Sequence, residues 1–113
     1  MQIQVHTDNH IQGSRDLTER VTSDVENALD RFASQITRVE VHLGDDNGSK
    51  AGDQDKRCLL EARVAGLDPI AASHHADSLE AALSGALDTL ERNLDRTFDR
   101  IGHKKGRTSY SGE

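Results

Sequence analysis

Across residues 77–101 the apolar side chains Leu79, Leu83, Ala86, Leu87, Leu90, Leu94, Phe98 and Ile101 return every three or four positions. That is the period of one helix face, and so long an apolar face must be covered by other parts of the chain. No other stretch restricts the fold as tightly. Asp77, followed three residues later by Glu80, predicts a capping box at the start of this helix. Gly102 is suited to the left-handed residue that closes many helices, and Arg92, Arg96, Arg100, His103 and Lys104 gather at the negative end of the dipole.

The cover comes from the rest of the chain. Residues 2–6 alternate, with Ile3 and Val5 on one face and Gln2, Gln4 and His6 on the other, which predicts a short half-buried strand. After a polar loop, Ser14 is placed to cap a second amphipathic helix with Leu17, Val21, Val25, Ala28, Leu29 and Phe32 on its apolar face, ending near Ser34. Residues 37–43 alternate again, with Val39, Val41 and Leu43 inward. A helix of nearly twenty residues between these two strands has the length of a parallel crossover. Residues 44–56 have no apolar side chain beyond Ala51 and read as a solvated loop. A third strand spans residues 57–65 with Cys58, Leu60, Ala62 and Val64 inward. The turn Gly66-Leu67-Asp68-Pro69 leads into a fourth strand at 70–74. The expected fold is α+β: a two-layer sandwich in the order β-α-β-β-β-α, with a four-stranded mixed sheet and two helices on one face. It forms a single domain over residues 1–102 followed by a flexible basic tail at 103–113.

With 113 residues, 34% of them hydrophobic, and no Trp, the chain can fill one modest core of Leu, Val, Ile and Ala. No apolar run is long enough to cross a membrane, and the N-terminus does not read as a signal segment, so a cytoplasmic protein is expected. The single cysteine, Cys58, leaves no partner for an internal disulfide and reads as core filler in its strand.

No enzyme motif is present: there is no phosphate-cradling glycine loop, no nucleophile elbow and no paired carboxylates in an evident cleft. The acidic loop at 44–56 lacks the alternating ligands and closing Glu of a calcium hand. His6 and His42 are placed to share the exposed sheet face, and His74 adjoins His75. Neither pair shows a carboxylate or Cys at ligand spacing, so no metal site and no cofactor is expected. Charge is what remains. Residues 1–91 hold 8 Lys and Arg against 17 Asp and Glu, whereas residues 92–113 hold 6 against 3. Arg92, Arg96 and Arg100 follow one another at four-residue steps, continued by Lys104 and Lys105. A helix would align them as a stripe for phosphates. Asp88, Glu91, Asp95 and Asp99 stand where ion pairs within the helix would neutralise that stripe.

Together, the element order, the opening Met-Gln-Ile-Gln-Val, the segment Leu17-Thr-Glu-Arg-Val-Thr, and Ile70-Ala-Ala-Ser leading into Leu79-Glu-Ala-Ala-Leu-Ser-Gly-Ala-Leu-Asp-Thr-Leu-Glu-Arg-Asn-Leu94 resemble one known family. It is the ribosome hibernation promoting factor and ribosome-associated inhibitor A (sigma-54 modulation protein) family, and the resemblance covers residues 1 to about 105. The resemblance implies a non-enzymatic stress factor that binds the small ribosomal subunit through ribosomal RNA and inhibits translation. It places Arg92 in the family's Leu-x-Arg-x-Leu motif and Arg96, Arg100, Lys104 and Lys105 where the family is basic further on. Thr89, Asp24, Glu26, Asn27 and Glu80 depart from the family pattern. The competing expectation is an acidic interaction module of the same fold that binds a protein partner or forms a homodimer without RNA.

Overall fold

The computed structural model describes residues 1–8, 11, 13–46 and 55–106, with side chains as far as Ile101. The chain runs β1 (Gln2–Thr7), α1 (Arg15–Ala28), a 3-10 turn (Asp30–Phe32), β2 (Ile36–Asp45), β3 (Lys56–Val64), β4 (Ile70–Ala76) and α2 (Leu79–Gly106). One sheet holds the strands in the order β1-β2-β3-β4, with β1 parallel to β2 and the other neighbours antiparallel. Both helices lie on the same face, α1 against β1 and α2 against β3 and β4. The expected α+β sandwich is the fold observed.

The alternation in the strands decides which face the helices cover. Val39, Val41 and Leu43 of β2 meet Cys58, Leu60, Ala62 and Val64 of β3 beneath the helices, and all are buried. From above, α1 and the turn after it contribute Val21, Val25, Leu29 and Phe32, while α2 contributes Leu83, Leu87, Leu90 and Leu94. Each fully buried aliphatic side chain contributes about 1.5–3 kcal/mol before chain entropy is set against it. Small residues let α2 lie close to β4: Ala72 and Ala76 on the strand, and Gly85 on the helix, where any Cβ would collide with the His74 ring.

Four expectations need correcting. First, α2 is capped by Ser78, whose Oγ accepts from the Ala81 amide at 3.1 Å, and not by Asp77. β4 runs to Ala76, which shifts the first helical turn by one residue. Glu80 then lies outside the capping-box position and pairs with Arg20 of α1 at 3.1 Å. Second, the solvated loop is shorter than residues 44–56, because Gly44 pairs with Arg57 and Asp45 with Lys56 in the β2–β3 ladder. Polar composition suggested a loop there. Lys56 Nζ lies 3.4 Å from Asp45 and 3.3 Å from Asp55, and that pairing holds both buried acids in the structure. Residues 47–54 lie outside the described residues. Third, β4 continues past residue 74 to Ala76. Fourth, α2 does not stop at Ile101 but continues through Gly106, taking in the start of the expected tail; residues 107–113 lie outside the described residues.

Candidate nucleic-acid interface

The geometry of α2 separates its side chains by task. Successive residues turn by about 100° around a helix, so neighbours in sequence serve different faces. Leu90 and Leu94 point into the sheet and are fully buried. One step round, Glu91 and Asp95 face the turn after α1, where Arg31 reaches both: it forks onto Asp95 at 2.7 and 2.8 Å and lies 3.8 Å from Glu91. The hydrogen bonds from Arg31 hold the Asp95 carboxyl below its ordinary range and raise the guanidinium in return. The Arg31 guanidinium also lies 4.2 Å above the Phe32 ring, and Phe32 packs on Phe98 with centroids 5.8 Å apart. The helix therefore stays anchored to the body past Leu94, further than its sheet contacts alone would carry it. On the opposite side, Asn93 donates to the Ala71 carbonyl of β4 at 3.2 Å.

The back of the helix carries Arg92, Arg96 and Arg100, all exposed. Four-residue steps place them about 6 Å apart along the axis, a spacing suited to successive phosphates of one strand. Arg92 reaches only Thr89 Oγ1, at 3.3 Å. The ion pairs that the sequence spacing allows within α2 do not form among the described residues. Asp95 and Glu91 are turned towards Arg31 instead, while Asp88 and Asp99 hold no arginine. Elsewhere the cations are engaged: Arg20 with Glu80, Arg38 and Arg63 with Glu40, Lys56 with Asp45 and Asp55, and Arg57 with Asp8 and Asp46. Among the described residues, only Arg15, Arg92, Arg96 and Arg100 lack a carboxylate partner, and three of these four form the stripe. Lys104 and Lys105 fall in the last helical turn, and their side chains lie outside the described residues.

The groove between the helices has the opposite sign. Asp24, Glu80, Asp88 and Glu91 line it beside Asn27 and Ser84. The unpaired arginines of α2 and this groove thus lie on different sides of the helix.

The structure also brings together groups that the sequence did not reveal as a cluster. His6 of β1 and His42 of β2 are register partners and stack with ring centroids 4.8 Å apart. Glu40 Oε1 lies 3.6 Å from His6 Nε2 and 3.7 Å from His42 Nε2. The expectation that no carboxylate stands at ligand spacing around this pair is therefore wrong. Glu40 lies two residues from His42 on the same strand, so alternation brings both to the outer sheet face. Cys58 is buried beneath α2, and burial pushes its thiol up to about 12, so the group is core filler and no nucleophile.

A family model described as sigma 54 modulation protein / S30EA ribosomal protein matches residues 3–102. The chain belongs to that family. This bears out the family resemblance read from its helix and strand motifs. Two solved structures are similar to this S30EA family member. The N-terminal domain of Thermus thermophilus Protein Y superposes with a TM-score of 0.67 at 21% identity, covering 86% of this chain and 99% of that one. A ribosomal subunit interface protein from Coxiella burnetii gives a TM-score of 0.69 at 18% identity, covering 88% and 99%. At these identities the likeness establishes the fold. Comparison with curated protein sequences gives no match. Among the described residues, no helix is long and apolar enough to cross a membrane.

Proposed function

We propose that this S30EA family member is a non-enzymatic, cytoplasmic stress factor that binds the small ribosomal subunit through ribosomal RNA and inhibits translation. The observation carrying this reading is the row of Arg92, Arg96 and Arg100, exposed and free of carboxylates in a protein whose net charge is −6. Six of the other described cations are committed to acids of their own chain, and a guanidinium without such a partner is the form that gives paired donors to a phosphate. We assign Lys104 and Lys105, next along the sequence, to the same contact. The family description and the printed description of the Coxiella burnetii relative as a ribosomal subunit interface protein support the choice of a ribosomal partner.

The test is cosedimentation of the full chain with purified small ribosomal subunits at low salt. Wild type pellets with the subunit, and the variant R92A/R96A/R100A stays in the supernatant. Equal pelleting of the two overturns the assignment of these arginines. A second reading has one observation in its favour, the acidic groove along Asp24, Glu80, Asp88 and Glu91, which suits a basic protein segment or a second copy of the chain. Capture of a single protein partner without ribosomal RNA would favour it.

A further inference from the structure

We infer that His6, Glu40 and His42 form a binding site for a divalent transition-metal ion of the zinc class on the outer, helix-free face of the sheet. The site is assembled by register. The parallel β1–β2 ladder sets His6 opposite His42, and alternation along β2 puts Glu40 on the same face as His42. One carboxylate oxygen, Glu40 Oε1, is 3.6 Å from His6 Nε2 and 3.7 Å from His42 Nε2, and all three ligand atoms lie within 4.8 Å of one another. A tetrahedral ion with bonds of about 2.0–2.2 Å holds its ligand atoms about 3.4 Å apart. Two of the three separations are already within a few tenths of an ångström of that value. The third closes by side-chain rotation of two histidines that are 48% and 35% exposed.

Three features favour a cation over a fortuitous cluster. Both Nε2 atoms face the same oxygen from beyond hydrogen-bonding distance, so the three groups converge without satisfying one another. Glu61, the register partner of Glu40 on β3, brings Oε1 to 3.8 Å from His42 Nε2 and adds negative charge beside the site. The other oxygen of Glu40 is held by Arg38 at 2.9 Å, with Arg63 at 3.9 Å, which fixes the carboxylate and leaves Oε1 directed at the imidazoles. The same two guanidiniums oppose a second positive charge, so binding is weaker than at a closed four-cysteine zinc site. Two imidazoles and a carboxylate select zinc, cobalt, nickel or copper over magnesium or calcium. A bound ion would tie the edge strand β1 to β2 and stabilise the fold in proportion to its occupancy.

Titration of the tag-free full chain with Co²⁺, followed by visible absorption, and with Zn²⁺, followed by calorimetry and thermal unfolding, tests the site. One equivalent of Co²⁺ is expected to give ligand-field bands, and Zn²⁺ to compete for the same site and raise the melting temperature. His42→Ala and the milder His6→Gln each weaken binding by about tenfold or more, while His75→Ala leaves it unchanged. Far-UV circular dichroism establishes that each variant is folded, and His6→Gln, on an edge strand, serves if His42→Ala is not. The proposal is overturned if neither metal binds, if binding survives both the His6 and His42 substitutions, or if only His75→Ala abolishes it.

Discussion

The two ends of α2 are built from the same helical repeat and do different work. From Leu79 to Leu94 every third or fourth residue goes into the sheet, and two acids of that part, Glu80 and Glu91, face cations of α1 and the turn after it. Past Leu94 the described part of the helix is anchored by Asp95 and Phe98, while Arg92, Arg96 and Arg100 turn outward without carboxylate partners. The first part shows how burial fixes a helix in place. The second shows that net charge is a poor guide to where a polyanion binds, because pairing decides which cations are available. Arg31 takes up Asp95, one of the acids whose spacing would let it neutralise the stripe.

If the two ends are as distinct as this, substitutions should separate stability from binding. The largest effect on stability is expected from Leu90→Ala, which empties a fully buried position and should cost about 2–5 kcal/mol in urea unfolding. Arg96→Ala, one face away, should change stability by less than about 0.5 kcal/mol. A smaller effect tests how the buried end begins. Ser78→Ala should cost about 1 kcal/mol by removing the bond to the Ala81 amide, whereas Asp77→Ala should cost almost nothing. The reverse order would restore Asp77 as the cap.

The smallest effect lies at the junction of the two ends. Asp95 has its folded-state titration lowered by Arg31, so the stability it supplies is fully present above the unfolded carboxylate value of about 3.9 and is lost as pH falls through the lower folded value. Asp95→Asn should therefore lower the melting temperature slightly at pH 7 and not at all at strongly acid pH. The difference at pH 7 should shrink in high salt, since both partners are exposed. A difference that grows towards low pH would contradict the Arg31 pairing.

The layers of the fold were legible because burial leaves a period in the sequence. The alternation of Val39, Val41 and Leu43 and the three-to-four spacing from Leu79 to Phe98 each report a covered face without knowledge of the partner. What could not be read depends on segments distant in the chain. Asp45 and Lys56 pass for loop residues until the β2–β3 register pairs them. Asp95 passes for an interruption of the basic stripe until Arg31, far earlier in the sequence, is folded against it. Alternation placed His6 and His42 on one face, but that Glu40 Oε1 converges on both rings depends on the register of the parallel ladder. The arginine stripe itself was visible, since helical spacing alone aligns it; its freedom from acids was not.

The salt dependence of binding to small-subunit ribosomal RNA tests the central claim most directly. Each phosphate neutralised adds about 0.7–0.9 to the slope of log affinity against log salt. Wild type should bind with a slope steeper than that of R92A/R96A/R100A by about 2–3, and the variant should lose about a hundredfold or more in affinity at low salt with its melting temperature unchanged. Identical slopes for a folded variant and wild type would mean that this end of α2 does not lie on RNA.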